Sequence, residues 1–391
     1  MISMLTETMS LYVHIPFCAR KCNYCDFLSF NAEKELMDEY FDALEKEISK
    51  SGRDCKDRTV ATIFFGGGTP SFADEIRVCG LLQKIRDGFN VSDDAEISIE
   101  VNPASAMRDK LFSYREAGFN RLSIGCQSLN DDELEILGRL HNSSLFIETY
   151  NNARAAGFNN INVDVMSALP GQSLDSYVNT LNRVLELKPE HISAYSLIIE
   201  EDTPFYDMDL DIPDEDTDRA MYHETKRILK EQGFHRYEIS NYALGAEDDD
   251  TFECHHNKVY WQRGNYLGLG LGAASMVDNV RWSNTRDIGT YVKELADAES
   301  SFAKIRENVE EVSIAAQMEE FMFLGLRLVK GVSVERFKEN FGKGIFEIYG
   351  EVIDKYRDMG LLECAGDGGK YLRLTDKGLD VSNTVMAEFL L

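Results

Sequence analysis

Three cysteines stand close together near the start of the chain, in the spacing Cys18-x-x-x-Cys22-x-x-Cys25. Thiolate is a soft ligand, and three thiolates on one short loop can hold three irons of a [4Fe–4S] cluster. No further cysteine lies nearby in the sequence, so the fourth iron has no protein ligand and is free to bind a small molecule. The spacing therefore predicts a reactive cluster rather than a pure electron carrier.

Two other interpretations of the cysteines are a half-built zinc site and three free thiols. Structural zinc is closed by four ligands, usually in two pairs, and no second Cys-x-x-Cys follows here. The remaining cysteines are scattered without the pattern of a disulfide framework. We therefore favour the cluster. The scattered cysteines are Cys55, Cys79, Cys126, Cys254 and Cys364.

Length and charge limit the classes of protein to consider. A chain of 391 residues predicts two or three domains. The net charge of −27 repels phosphate backbones, which argues against a nucleic-acid partner. No apolar run is long enough to span a bilayer, and residues 1–10 lack the blocks of a signal peptide. The expected location is cytoplasmic.

Strand-like and helix-like patterns alternate over roughly the first half of the chain. Strands that each lead into a helix imply parallel pairing with right-handed crossovers. Six such strands are too few for a closed eight-stranded barrel, so we predict a partly open β/α barrel with its ligand site at the carboxyl ends of the strands. The predicted strands are 11–15, 60–65, 95–101, 121–125, 161–165 and 191–198.

Several polar or glycine-rich segments fall at these predicted strand ends. They include the cysteine loop, the glycines 66–68, Glu100, Gln127 and Asp164. Convergence of such distant residues on one cavity is a second argument for a cofactor site. Plainer alternatives exist for some of the candidates. Glu100 and Asp164 could simply cap the helices that follow them, and a further candidate, Arg139, could belong to a surface ion pair.

The pattern changes after residue 200, and we predict three regions: 1–235, 236–300 and 301–391. The second carries the sequence His-Asn-x-x-Tyr-Trp, and the third combines a helix-turn-helix-like segment at 331–337 with two strands at 361–364 and 371–375. This arrangement predicts a C-terminal winged-helix-like domain. Because its helices carry many acidic residues, we expect an interaction or lid domain rather than a DNA-binding one.

The run from Tyr12 to Cys25 resembles the cluster loop of radical S-adenosylmethionine (SAM) proteins. Further segments resemble the anaerobic coproporphyrinogen III oxidase branch of that family over nearly the whole chain. The resemblance implies an α/β fold, a partial (β/α)6 radical-SAM barrel with a C-terminal helical, winged-helix-like domain. The segments are Gly-Gly-Gly-Thr-Pro at 66–70, Ser-Ile-Glu-Val-Asn-Pro at 98–103, Gly-Cys-Gln-Ser at 125–128, Gly-Arg-Leu-His at 138–141 and Asn-Val-Asp at 162–164.

The resemblance also implies the cofactors and their residues. Cys18, Cys22 and Cys25 are expected to bind the [4Fe–4S] cluster, whose open iron chelates SAM. Tyr24 is expected beside the adenine, and the glycines beside the methionine portion, where lack of side chains lets the backbone approach a ligand. The expected SAM residues are Tyr12, Tyr24, Gly67, Gly68, Thr69, Glu100, Gln127, Arg139 and Asp164.

The run from His256 to Trp261 resembles a heme-associated motif of the heme chaperones in this branch. Histidine is a common axial ligand of heme iron, so His256 is the expected ligand, with Cys254 and His255 as neighbouring competitors. Tyr260 and Trp261 offer faces suited to a macrocycle. From the residues alone, the alternative is a turn at His256 followed by a core strand that begins at Tyr260.

The resemblance predicts a heme chaperone that binds heme and delivers it to apo-hemoproteins such as membrane-bound cytochromes, with a homodimer as a further possibility. The alternative is an oxygen-independent coproporphyrinogen III oxidase, or another radical-SAM enzyme acting on a porphyrin. Those oxidases have a further cysteine two positions after the third ligand, where this chain has Phe27. Oxidase activity is therefore doubted, and no catalytic residue is assigned. A third hypothesis, a purely structural iron–sulfur regulator with a winged helix, is disfavoured because it gives the Gly-Gly-Gly-Thr-Pro run no role.

Overall fold

The structure is a computed structural model that describes residues 8–296 and 301–391. Residues 1–7, part of the segment judged to lack a signal peptide, lie outside the described residues, as do 297–300 at the end of the predicted second region. Within the described ranges, every helix is too short or too polar to cross a bilayer.

Six parallel strands form the centre of the fold, and each pairs with its neighbour in chain order. The prediction of a partial (β/α)6 barrel is confirmed. The strands are β1 Thr8–Ile15, β2 Thr59–Gly67, β3 Asn90–Val101, β4 Arg121–Gln127, β5 Ile161–Ser167 and β6 His191–Ser196.

Helices connect these strands and cover one face of the sheet. The first helix shows why they form, since Tyr40, Leu44 and Ile48 recur at helical spacing and are fully buried. These side chains join the main hydrophobic core together with alternate residues of the strands. The helices are α1 Lys34–Asp54, α2 Glu75–Gly88, α3 Arg108–Ala117, α4 Asp131–Ile136, α5 Ser143–Ala155 and α6 Leu174–Glu186.

The strand pleat divides the side chains between the core and the barrel interior. Leu11, Val13 and Ile15 on β1 are buried in the hydrophobic core. Because successive strand residues point to opposite faces, Ser10 on the same strand points into the barrel, where it accepts a hydrogen bond from Thr62 of β2 at 2.7 Å. The interior is therefore polar and needs hydrogen-bonding partners.

Later segments extend the sheet at both edges. On the β6 edge, β8 Asn241–Leu244 pairs antiparallel with β6 and with β7 Phe234–Arg236. On the β1 edge, β9 Tyr266–Leu269 runs parallel to β1. The predicted second region, 236–300, thus shares the sheet of the first, and the three domain boundaries stay predictions. The remaining elements here are α7 Glu215–Glu231, α8 His255–Trp261, β10 Ala274–Val277, β11 Val280–Asn284, α9 Ile288–Ala296 and β12 Arg306–Glu311.

The C-terminal part has a hydrophobic core of its own and a separate three-stranded sheet. The two strands expected near 361–364 and 371–375 form an antiparallel hairpin. This matches the predicted winged-helix-like domain. Its elements are α10 Ile314–Gly325, β13 Val332–Ser333, α11 Val334–Phe341, α12 Ile345–Asp358, β14 Leu362–Ala365, β15 Tyr371–Leu374, α13 Asp376–Asp380 and α14 Ser382–Met386.

A buried carboxylate joins the first helix to the segment that follows β9. Glu47 on α1 accepts hydrogen bonds from the Gly270 backbone N–H at 2.8 Å, the Asn284 amide at 2.7 Å and the Tyr291 hydroxyl at 2.5 Å. Burial raises the pKa of Glu47 to about 7, and these donors oppose that rise. The barrel and its added edge strands are therefore linked through one side chain.

Replacing Glu47 with alanine should strongly destabilise the protein. The substitution leaves three buried donors without their acceptor, and a buried unpaired group costs about 1–3 kcal/mol. We expect the free energy of unfolding, measured by chemical denaturation, to fall by about 3–5 kcal/mol. Glu39→Ala on the exposed face of the same helix is the control and should change it little. Equal effects of the two substitutions would contradict the linking role.

Candidate functional site

A cavity of about 370 Å³ opens at the carboxyl ends of the parallel strands. This is where ligands bind in folds of this class. Most of the side chains predicted from the sequence meet there, whereas Tyr12, Gly67 and His256 do not line it. The predicted residues that line the cavity are Cys18, Cys22, Tyr24, Cys25, Gly68, Thr69, Glu100, Gln127, Arg139 and Asp164.

Backbone hydrogen bonds hold the cysteine loop in place. The Cys18 N–H donates to the Phe30 carbonyl at 3.1 Å, and the Cys25 N–H donates to the Cys22 carbonyl at 3.2 Å. The Asn23 N–H donates to the Leu137 carbonyl at 3.0 Å, which joins the loop to the segment after α4. The three thiols are free, and all three cysteines line the cavity.

The three thiols are soft donors of the kind that iron–sulfur clusters use. Among the described residues, no group of three or more His, Cys, Asp or Glu side chains could surround one metal ion, as structural zinc requires. In a [4Fe–4S] cluster each thiolate binds a different iron, so the sulfurs need not converge on one point. Burial raises the pKa of the Cys18 and Cys25 thiols, and a bound metal would offset that effect.

The glycine run lets the end of β2 pack tightly against the segment that leads into the cysteine loop. Gly67 has a φ of 114°, and a Cβ there would lie 2.5 Å from the His14 ring. A Cβ on Gly68 would lie 2.8 Å from the Phe17 carbonyl oxygen. Gly67 thus has a packing role, whereas Gly68 also borders the cavity.

Arg139 connects the cysteine loop to β4. Its Nη2 donates to the Gly125 carbonyl at 2.8 Å, while Nη1 lies 3.4 Å from the Tyr24 hydroxyl and 3.8 Å from Cys22 Sγ. Its Nε is buried and has no hydrogen-bond partner among residues 8–296 and 301–391. Within the described part of the chain it forms no ion pair, so the alternative of a surface salt bridge does not describe it.

Two carboxyl groups line the cavity from β3 and β5, the strands on either side of β4. Glu100 accepts a hydrogen bond from the Gly67 N–H at 3.2 Å, and Asp164 accepts one from the Asn162 amide at 2.8 Å. Burial, followed by the charge of Asp164, raises the pKa of Glu100 to about 8, and burial also raises that of Asp164. Neither caps a following helix, because α6 is capped by Ser173 and α3 has no side-chain cap. A bound cation would favour both ionised forms.

Sequence reasoning missed three side chains at the cavity, of which one lies on β6, one in the loop that follows it and one in the cysteine loop. The Tyr195 hydroxyl donates to the amide oxygen of Gln127 at 3.3 Å, and Gln127 itself has the unusual φ of 66°. Phe27 and Ile198 border the opening with 58% and 69% of their surface exposed. The alternation of inward and outward residues along β6 would have identified Tyr195 as a cavity residue. No local pattern marks Phe27 or Ile198.

Tyr12 lies inside the barrel rather than on the cavity wall. Its hydroxyl is 3.0 Å from His14 Nδ1, and its ring packs on Phe64 with the centroids 6.4 Å apart. Tyr12 therefore does not line the cavity in which the other expected SAM residues meet.

His256 occupies the interior near the amino ends of the strands. Its Nδ1 lies 2.8 Å from the Thr62 hydroxyl and its Nε2 lies 2.9 Å from the Tyr260 hydroxyl, while the ring stacks on Phe64. Only 2% of the residue is exposed, and burial lowers its pKa to about 3. Both ring nitrogens are engaged, so this conformation does not offer His256 to a heme iron.

The neighbours of His256 also differ from expectation. Cys254 is buried and its N–H donates to the Tyr237 hydroxyl at 3.1 Å, whereas His255 Nε2 lies 2.9 Å from the Asp250 carbonyl. Tyr260 and Trp261 end helix α8 instead of beginning a strand, so the alternative of a core strand is wrong. The carboxylate of Glu96 accepts hydrogen bonds from the first N–H groups of α8, which stabilises a helix at this point.

Comparison with known proteins gives consistent results. Residues 12–184 match the radical SAM superfamily, and residues 312–381 match the HemN C-terminal domain. The chain is 35% identical to the heme chaperone HemW of Bacillus subtilis over 97% of this chain and 99% of that protein. It is 32% identical to the mitochondrial radical S-adenosyl methionine domain-containing protein 1 of Danio rerio over 95% of this chain and 83% of that protein.

A solved structure shows the same fold. Coproporphyrinogen III oxidase (HemN) from Escherichia coli, described as a radical SAM enzyme, superposes with a TM-score of 0.83. The match covers 98% of this chain and 90% of that chain at 24% sequence identity. At that identity the likeness concerns the fold alone.

The raised pKa of Glu100 predicts how stability depends on pH. An unfolded glutamate titrates near ~4.3, so the protonated carboxyl stabilises the fold fully below that pH, and this contribution is lost as the pH rises towards about 8. Glu100→Gln keeps a hydrogen-bond acceptor but cannot ionise. The cofactor-free variant should melt above the unmodified protein at pH 8, with a smaller difference at pH 5.

Thermal unfolding at the two pH values measures this effect. Glu116→Gln, at an exposed position on α3, is the control and should give the same small difference at both. If the Glu100→Gln difference does not grow between pH 5 and pH 8, the carboxyl ionises normally and the electrostatic description of the cavity is wrong.

Proposed function

We propose a function for this chain from the premise that it belongs to the radical SAM superfamily, in the group of heme chaperones named HemW. It binds heme and passes it to apo-hemoproteins, with a [4Fe–4S] cluster and SAM as its own cofactors. The observation that carries this proposal is the 35% identity to the Bacillus subtilis heme chaperone over nearly the full length of both chains.

The cavity residues fit these cofactors. Cys18, Cys22 and Cys25 present three free thiols to one space, which is the ligand set that a cluster with one open iron requires. Glu100 and Asp164 supply two carboxyl groups that a cationic group of SAM would hold in the ionised form. A cluster held by Cys18, Cys22 and Cys25 would supply one-electron chemistry towards the SAM sulfonium, and the protein would set the environment of that chemistry.

The chain's own side chains orient and shield that space. Arg139 lies against both Tyr24 and Cys22, so it fixes the cysteine loop relative to β4. The side chains of Phe27 and Ile198 make the opening apolar. An apolar opening limits water in the cavity and offers a surface to an apolar ligand.

The recipients and the location are parts of the same proposal. We propose apo-hemoproteins, including membrane-bound cytochromes, as recipients, and the cytoplasm as the location. The eight free cysteines of the described residues support a reducing compartment. A homodimer remains part of the proposal, and a nucleic-acid partner does not, because the net charge is −27.

Anaerobic titration with hemin tests the chaperone function. The cluster-reconstituted protein should shift the Soret band of hemin at saturating stoichiometry and then convert an apo-cytochrome to its heme-bound form. Absence of both effects would sink the proposal. Consumption of SAM with conversion of coproporphyrinogen III to protoporphyrinogen IX would instead identify an oxidase.

Cysteine substitutions test the proposed cluster ligands. Cys22→Ala removes one of three thiolates and should abolish the brown absorption and the bound iron, while circular dichroism shows an intact fold. Cys364→Ala is the matched control, because this free cysteine is exposed on β14 in the C-terminal domain. A full iron content in Cys22→Ala would contradict the assignment.

A further inference from the structure

A second cavity, of about 260 Å³, lies where α8 meets the C-terminal domain. Trp261, Phe321 and Tyr371 give it aromatic walls, and Lys330 and Arg336 border it with positive charge. His256 and Trp261 are five residues apart on α8, which places their side chains about 140° apart around the helix axis. The helix thus turns its histidine to the barrel interior and its tryptophan to this cavity.

Two cations border the cavity, and their recorded contacts are with neutral groups. Across residues 8–296 and 301–391, neither Lys330 nor Arg336 forms an ion pair with a carboxylate. Lys330 Nζ lies 5.3 Å from the Tyr371 ring centroid, and Arg336 Nη2 donates to the Gln262 carbonyl at 3.2 Å. Acidic residues outnumber basic ones by 68 to 41 in this chain, so two basic side chains without carboxylates at one cavity are notable.

Two of the residues that line the cavity, Trp261 and Arg336, each carry a buried hydrogen-bond donor. Neither the indole N–H of Trp261 nor the Nε–H of Arg336 has a hydrogen-bond partner among the described residues. Burial lowers the pKa of Arg336, and the charge of Glu339 opposes this only in part. A buried donor without an acceptor is unfavourable, so both groups would gain from an acceptor supplied by a ligand.

Arg327 fixes the tryptophan in its orientation. Its guanidinium carbon lies 4.3 Å from the Trp261 ring centroid, so the indole has a cation on its ring. Trp261 also lies beside α10, because a Cβ on Gly325 would come within 3.9 Å of its carbonyl oxygen. The aromatic wall is therefore held in place by the C-terminal domain before any ligand arrives.

We propose that this cavity binds the carboxylate-bearing edge of heme. The proposal rests on the proposed function and assigns the propionate groups to Arg336 and Lys330, with the adjoining tetrapyrrole edge against Trp261 and Tyr371. Carboxylates supply the acceptors that the buried donors lack, and guanidinium recognises them by charge-assisted hydrogen bonds. Small-molecule pockets usually exceed ~300 Å³, so this one holds part of the molecule and leaves the rest of the macrocycle outside.

Hemin and hemin dimethyl ester, in which both propionates are capped, distinguish this site from non-specific heme binding. Binding to the cluster-reconstituted full chain is followed by Soret absorbance. We expect the unmodified protein to bind hemin about 10- to 100-fold more tightly than the ester, from the loss of charge-assisted hydrogen bonds. Arg336→Gln should weaken hemin binding by a similar factor and leave ester binding nearly unchanged.

Controls separate the failure of the site from the failure of the function. Lys338→Gln removes a positive charge from an exposed position of the same helix α11 and should bind hemin as the unmodified protein does. Lys330→Gln provides a second variant if Arg336→Gln does not fold, as judged by circular dichroism. Equal hemin affinity in Arg336→Gln, or equal affinities of the unmodified protein for hemin and ester, would overturn the site but leave the chaperone function standing. No binding of hemin by the unmodified protein would overturn both.

Discussion

Parallel pairing of β1 to β6 is the constraint on which the rest of the structure depends. It brings the carboxyl ends of all six strands to one edge, where loops distant in sequence meet around a single cavity. The same pleat sends every second side chain into a narrow interior, and many of these are polar, such as Ser10 and Thr62. Buried polar groups need partners, and one such partner, His256, comes from outside the six βα units.

The segment after β6 supplies those partners. Helix α8 places His256 against Thr62 and uses Glu96 of β3 to satisfy its own first N–H groups. Glu47 has the corresponding role between α1 and the segment that follows β9. Hydrogen bonds therefore connect the barrel to the following segment, and the other face of α8 meets the C-terminal domain. A ligand on the Trp261 side lies one helix away from the barrel interior.

The cavity at the carboxyl ends of the strands combines features that are unfavourable without a ligand. It holds two carboxyl groups with raised pKa values, a guanidinium whose Nε has no hydrogen-bond partner in the described part of the chain, and a glutamine with positive φ. Such features persist only where the surrounding fold enforces them, and they cluster at functional sites. Gly67 in the glycine run differs from these features, because its close packing against His14 explains the glycine without any ligand.

Local pattern determined the order of strands and helices, the winged-helix-like end and the three cysteines, because periodicity and ligand spacing are properties of neighbouring residues. The positions of Glu100 and Asp164 near the carboxyl ends of predicted strands also identified them as candidates, since the carboxyl ends of parallel strands lie at the same edge of a sheet. Tertiary packing decided the rest. It turned Tyr12 and His256 into the barrel, brought Tyr195 and Ile198 to the cavity, and set Trp261 beside Arg336. No local pattern encodes these outcomes, because each depends on which distant side chain satisfies a buried polar group or fills a gap.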